Sequence, residues 1–263
     1  MDVVKESRVT MSDKRVYKWN AFGGSDGWPA GGPENGVNVD ESIFLRGVPL
    51  DQAMVRWKKK CGVEELLNGT HERQEHVKQK RIDELKRTLD WYERRYPLPY
   101  ISDFEKEELE EMDTIELSFQ VPFGNQRVLD VLDDVCPNDY EAFPIEVHTK
   151  TGVITQFFLI NVCHRIHDAL DKDACIYKKS TTLKEGEENY IDRFKRLVFN
   201  KGCMGTTHLG RMHEHMFKVM VSETVAMAFQ TANIYGYNTM IFEDRVNMRY
   251  RSNYMPDGVT LKI

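Results

Sequence analysis

The run Phe157-Phe158-Leu159-Ile160-Asn161-Val162 constrains the fold more than any other stretch. Apolar side chains follow one another with a single polar interruption, Asn161, so the run shows no alternation between a wet and a dry side. A short run of this kind reads as a central strand. Upstream, Ala142 to His148 also reads as a strand. Thr149-Lys150-Thr151-Gly152 supplies turn chemistry between them, so Ala142–His148 and Val153–Val162 form a hairpin.

Other elements group around this hairpin. Val16-Tyr17-Lys18-Trp19 reads as a short strand. Gly23 to Gly36 holds six of the 17 glycines together with Pro29 and Pro33, and reads as a loop. Ser42 to Gly47 reads as a short strand or turn. Ile82, Leu85, Leu89, Tyr92 and Tyr96 recur at helical spacing, with Asp83/Arg87 and Asp90/Arg94 in favourable i,i+4 order, and Pro97 and Pro99 beyond as stops. Ile115, Leu117, Phe119 and Val121 alternate as in a strand. Arg127 to Val135 reads as a short helix stopped by Pro137-Asn138. Ile176 to Tyr190 reads as a polar connection, and Phe194–Phe199 and Phe217–Val221 as strands. Ser222 is an N-cap residue, Glu223 suits the positive end of a helix, and Val225, Ala228, Phe229 and Ala232 form one apolar face before Gly236 at C′. Tyr237 to Glu243 closes the series as a strand. The predicted fold class is α+β: a mixed or antiparallel sheet with packed helices, plus a mainly helical N-terminal insertion. The predicted organisation is a flexible tail over 1–14, an N-terminal region over 15–114 and an α+β domain over 115–263.

Composition excludes several classes. With 41% hydrophobic and 30% charged residues, the chain carries enough apolar material to order itself. Nowhere do 18 apolar residues follow one another, and the first 20 residues lack a secretory h-region. The five cysteines, Cys61, Cys136, Cys163, Cys175 and Cys203, are odd in number and lack CxxC spacing, which argues against a disulfide framework or zinc ribbon and for a reducing cytoplasm.

The net charge of −6 hides an asymmetry. Residues 56–100 carry 12 Lys+Arg against 8 Asp+Glu, for +4, whereas residues 101–146 carry 2 against 14, for −12. The acidic run Asp103, Glu105, Glu107, Glu108, Glu110, Glu111, Asp113 and Glu116 reads as a surface helix or extended loop, and Asp130, Asp133 and Asp134 follow in the next helix. Without apolar surroundings these carboxylates are solvated rather than tuned for acid–base work. Direct nucleic-acid binding is not expected, because acids interleave the basic segment.

Tests for chemistry select nothing. There is no GxSxG elbow, GxGxxG or GK[ST] sequence. Cys163 and His167 stand four apart, and His208, His213 and His215 cluster later, but no HExxH-like motif accompanies them. A metal-dependent enzyme built on these residues is one rival reading. A scaffold or regulatory module binding a partner through 56–100 is another.

The order of motifs in the C-terminal half carries a resemblance. Pro122-Phe123-Gly124-Asn125 precedes an apolar helix, followed by Phe143-Pro144-Ile145-Glu146-Val147 and Gln156-Phe157-Phe158-Leu159-Ile160-Asn161. His167-Asp168-Ala169-Leu170-Asp171 and Phe217-Lys218-Val219-Met220-Val221-Ser222-Glu223 come next, then Ala226 to Gly236 and Ile241-Phe242-Glu243-Asp244. This series resembles the eleventh immunity-protein family of bacterial polymorphic toxin systems, formerly a domain of unknown function, over roughly residues 115–245. Ile43-Phe44 and Arg46-Gly47-Val48-Pro49 extend the likeness weakly, and 56–113 reads as an insertion. The resemblance implies a cytoplasmic, non-enzymatic protein without cofactor or metal, which neutralises a cognate secreted toxin by stoichiometric binding. The charge adds that Asp103, Glu105, Glu107, Glu108, Glu110, Glu111, Asp113, Asp130, Asp133 and Asp134 face a basic, nuclease-like toxin domain.

Overall fold

The computed structural model describes residues 16–21, 31–33, 39–63, 75–115, 117, 121–188, 190–196, 198–216, 219–235 and 237–241. The class is α+β. One sheet runs β2 (Gly31–Pro33), β3 (Leu98–Ser102), β6 (Tyr140–His148), β8 (Phe157–Val162), β5 (Phe123–Asn125), β4 (Thr114–Ile115), with β7 (Val153–Ile154) also on β6. A second runs β14 (Tyr237–Ile241), β1 (Val16–Ala21), β13 (Val219–Ser222), β12 (Leu209–Met212), β9 (Arg165–Ile166). A separate ribbon pairs β10 (Ile176–Lys179) with β11 (Ile191–Arg196).

The apolar run is the central strand β8, flanked by β6 and β5. It is apolar apart from Asn161 because both its faces are covered. Phe157 and Leu159 join a core beneath the N-terminal helices, while Ile160 and Val162 join a second core on the other face. The second core is closed by α4 (Gln126–Val135) and α5 (Glu223–Thr231). The hairpin forms as the turn residues predict, with Thr149 N–H donating to Gly152 O at 2.8 Å. Its register slips by one residue at Thr155–Gln156, since Val147 faces Ile154 but Pro144 faces Phe158. This is a bulge that bends the longer strand.

Asn161 has a specific use. Its Nδ2 donates to Val48 O at 3.2 Å and to Glu141 Oε2 at 2.9 Å. The same Glu141 oxygen accepts the Leu50 N–H at 2.8 Å, at the start of α1 (Leu50–Cys61), whose own N-cap, Pro49, makes no side-chain cap. A carboxylate from β6 therefore caps α1 and is held by its cross-strand neighbour.

The N-terminal helices belong to the same core. Along α2 (Glu75–Arg94), Leu85, Thr88 and Trp91 are fully buried, while Leu89, Tyr92 and Tyr96 are partly buried around them. The Trp91 ring meets Phe44 edge-on at 5.4 Å and Phe143 at 5.5 Å. Trp57 of α1 donates to Asp40 at 2.9 Å, and Asp40 also pairs with Arg81 of α2 at 3.1 Å. Burial raises the Asp40 carboxyl, but bonds from Ser42 and Trp57 and the Arg81 charge outweigh it and hold the group below its ordinary range. Asp90 and Arg94 pair at 2.6 Å.

Several expectations are corrected. Of the two forms expected for Ser42 to Gly47, strand or turn, the strand is not found: the segment winds as a 3₁₀ helix, Glu41–Arg46, with Gly47 as its C-cap. Asp40 caps its start, and Gly47 ends it at φ +59°, a conformation β-carbons resist. An added Cβ there would lie 2.9 Å from His164 O. The glycine-rich stretch is not all loop, because Gly31–Pro33 pairs with β3 as an edge strand, which needs only backbone. The connection after Cys175 contains β10. Of the strand predicted from Ile115 onward, only Ile115 lies in a strand, Thr114–Ile115; Leu117 and Val121 are buried but lie outside any strand. Helix α5 starts on Ser222 as predicted, its hydroxyl accepting Val225 N–H at 3.3 Å, but ends at Thr231 with Asn233 at φ +49°. Residues 1–15, most of Gly23–Gly36, Phe119, Phe217, Gly236 and Phe242-Glu243 lie outside the described residues.

Asn161→Leu would extend the apolar run, yet it should cost about 2 kcal/mol, because it leaves Val48 O without its donor and loosens the Glu141 cap. Urea unfolding of the variant measures this; stability at or above wild type would refute the role given to Asn161.

Candidate functional site

The ten acidic candidates divide among different tasks. Asp103 and Glu105 lead into α3 (Lys106–Glu110), which carries Glu107, Glu108 and Glu110 and is followed by Glu111. Asp103, Glu107, Glu108, Glu110 and Glu111 are exposed, and Glu105 is half-buried. This helix forms despite its charge for a local reason. The Glu105 side chain accepts from the N3 backbone, and Glu108 Oε2 accepts the Glu105 N–H at 2.9 Å, a reciprocal capping box. Lys106 pairs with Glu110 at 3.3 Å, and Leu109 is the buried anchor.

Asp130, Asp133 and Asp134 are exposed along α4. Asn125 caps that helix, its Oδ1 accepting Val128 N–H at 3.3 Å, and Gly124 lets it lie close on the sheet: a Cβ there would meet Val128 Cγ1 at 2.7 Å. No basic residue occupies the last turn of α4, so Asp133 and Asp134 crowd the end where the helix dipole favours cations. Asp133 accepts the Tyr140 hydroxyl at 2.6 Å.

Asp113 departs from the surface set. It is 3% exposed and fully engaged inside the fold. Its carboxylate accepts Arg127 Nη1 at 2.7 Å, Asn125 Nδ2 at 2.7 Å and the Tyr235 N–H at 2.7 Å. It ties the acidic segment to the start of α4 and to the segment after α5. Reading a run of charges as one solvated face missed it; no feature of the run marks one aspartate as interior.

The histidines and cysteines form no common ligand set among the described residues; only His167 and His213 are brought together. Cys163 follows β8 and β9 intervenes before His167, so the helical geometry that would align them does not arise. Four residues of extended backbone span about 13 Å. His208 Nδ1 lies 2.9 Å from the Ser222 hydroxyl, His164 pairs with Asp139 at 3.0 Å, and His213 Nε2 lies 3.2 Å from Gly186 O. His167 stacks on His213 at 4.4 Å; burial, His213 and Arg165 together push its pKa down. Burial pushes the Cys163 and Cys136 thiols up to about 12 and the Cys203 thiol up to about 11, the reverse of an activated nucleophile. Among the described residues, no group of three or more His, Cys, Asp or Glu side chains is placed to hold a metal ion.

Two charged residues that sequence reasoning did not single out are interior. Arg211 is fully buried and gives Nη1 to Met216 O at 2.9 Å, and its burial lowers its pKa to about 9. Glu214 is 2% exposed, and burial raises its pKa. A groove of about 370 Å³ runs between the 3₁₀ helix, Lys60 and residues 183–188. Glu188 in its wall pairs with Arg46 at 3.1 Å and with Arg165.

What the described residues offer is therefore a surface: two exposed groups of carboxylates held on a packed α+β frame. No described helix is long and apolar enough to cross a membrane. The chain matches the model of the Immunity protein family (Imm11) over residues 48–244, and it belongs to that family. The matched range begins at residue 48, ahead of α1, so it reaches beyond the C-terminal half that carried the motifs. No curated protein matches the chain.

Asp113→Ala should lower stability by about 2–3 kcal/mol in chemical denaturation, because it removes three charge-assisted bonds from the interior; a loss below about 0.5 kcal/mol would return Asp113 to the surface set. Cys136 and Cys163 should resist alkylation in the native protein at pH 8 and react fully in denaturant. Labelling of either at the rate of a free thiol would contradict the buried, protonated state.

Proposed function

We propose that this immunity protein binds a cognate toxin in the cytoplasm and blocks it stoichiometrically, with its acidic surface set against a basic toxin domain. The observation that carries the reading is the placement of the charge. Nine of the ten acidic candidates remain at or near the surface once Asp113 is set aside. On α4, Asp134 sits in the last turn, where it opposes the helix dipole, so helix stability does not explain it. Nuclease-like toxins need a positive groove for phosphate, and an acidic inhibitor surface steers encounter with such a groove and then occupies it. Family membership supports the immunity role. The thiols and histidines give the rival enzyme reading no activated nucleophile and no converging ligand set among the described residues. The scaffold reading has less of 56–100 to offer a partner, because α1 and α2 bury Trp57 and Trp91 in the main core.

The test uses the C-terminal domain encoded by the neighbouring reading frame as the probe. Asp103→Asn together with Glu→Gln at 105, 107, 108, 110 and 111 removes six charges and keeps the capping box, since Gln serves at N3 as Glu does. Association should slow by about tenfold or more and lose most of its salt dependence. Unchanged association kinetics across the salt series would show that these carboxylates only solvate the helix.

A further inference from the structure

We infer that the outer face of the sheet at β3, β6 and β7 is the apolar centre of the docking surface, and that its occupant is the basic toxin domain, seated with aliphatic or aromatic side chains over Ile101 and Val153. This rests on the proposed immunity function and assigns it a location.

The register places the residues. Ile101 of β3 lies opposite His148 of β6, and His148 lies opposite Val153 of β7, so the three form one row across the sheet. Pro99 and Glu146 pair one step along on the same face. The inner face of these strands is fully committed to the core through Leu98, Tyr100, Ile145, Val147 and Ile154. The outer face is not. Ile101 is 39% and Val153 48% exposed, with His148 and Glu146 beside them.

Two physical arguments make this row more than an ordinary wet face. Strands β3 and β6 are parallel, and parallel pairs normally have both faces covered, whereas this one leaves Ile101 exposed. Solvent-facing positions of a half-buried sheet are normally polar, and two large apolar residues in one cross-strand row, on either side of His148, depart from that pattern.

The chemistry of the occupant follows from the rim. Helix α3 is fastened beside this row through the β6–β7 turn: Lys106 N–H donates to Thr151 Oγ1 at 2.9 Å, and the Thr151 hydroxyl donates to Glu107 at 3.3 Å. Gln156 Nε2 donates to Glu110 O at 3.3 Å. An apolar centre bordered on one side by exposed carboxylates has the anatomy of a protein interface and complements a partner with apolar anchors beside Lys and Arg.

The design of the test exploits charge. Val153→Asp and Ile101→Asp each add a negative charge beside an acidic rim. If the surface worked by charge alone, either variant would bind a basic toxin domain as tightly as wild type or more so. If the row is an apolar centre, each variant loses at least tenfold in affinity, mainly through faster dissociation, while Val55→Asp on the exposed face of α1 does not. The probe is again the C-terminal domain from the neighbouring reading frame. Thermal unfolding checks each variant's fold. Val153→Ser is the milder substitute if an Asp variant unfolds. Hydrogen exchange on the wild-type complex gives an independent reading, with residues 98–102 and 145–154 becoming protected only when the toxin domain is added. Wild-type binding with no loss in the Asp or Ser variants, or protection already complete in the free protein, would overturn this assignment. Failure of the wild type to bind the domain at all would overturn the immunity reading itself, and this one with it.

Discussion

Burial of β8 on both faces is the constraint from which the rest of the structure follows. A strand enclosed in this way must satisfy its backbone through neighbours on both edges, which β6 and β5 provide. Its side chains then require an apolar layer above and below. The N-terminal 3₁₀ helix, α1 and α2 form one layer; α4 and α5, with the second sheet, form the other. Strand β13 repeats the arrangement, with Val219 and Val221 facing the second core and Met220 a third. Three cores separated by two sheets account for the size of the chain without disulfides or other staples.

The polar residues that interrupt these layers are linkers. Asn161 and Glu141 join β8 and β6 to the first turn of α1. Asp40 joins the 3₁₀ helix to α1 and α2. Asp139 accepts the His208 and Leu209 N–H groups and so joins the start of β6 to β12. Glu188 joins the β10–β11 connection to Arg46 and Arg165; burial raises its carboxyl, but the two arginines outweigh that and hold it below its ordinary range. The acidic excess of residues 101–146 is therefore two populations. Asp113, Asp139 and Glu141 work inside the fold, and the other described carboxylates are exposed or half-buried at the surface.

Much of the fold was legible because local physics dominated there. The hairpin over 142–162, the helix opened by Ser222 and the helix before Pro97 are set by turn chemistry, capping and periodicity, all short-range. The failures share one cause. Ser42–Gly47, open to a strand or a turn in the sequence, winds as 3₁₀ because Asp40 and Gly47 bracket it. Gly31–Pro33 becomes a strand through β3, some 70 residues away, by backbone bonds that leave no side-chain signal. Trp91 is the anchor of α2, although it falls outside the stripe counted from Ile82 to Tyr96, because Phe44 and Phe143 converge on it from two other elements. Cys163 and His167 have a ligand-like spacing only if the segment is helical, and the adjacent central strand forbids that.

The sequence by itself determined the α+β class, the central strand, the family resemblance and the location of the acidic excess, since each depends on neighbouring residues or on an ordered series of them. Only the tertiary structure decided which carboxylates face outward. Burial of Asp113 depends on Arg127, Asn125 and Tyr235, which reach it from the start of α4 and from beyond α5. Tertiary structure alone also set Ile101 and Val153 in one row, because cross-strand register is a property of paired strands and neither partner encodes it alone.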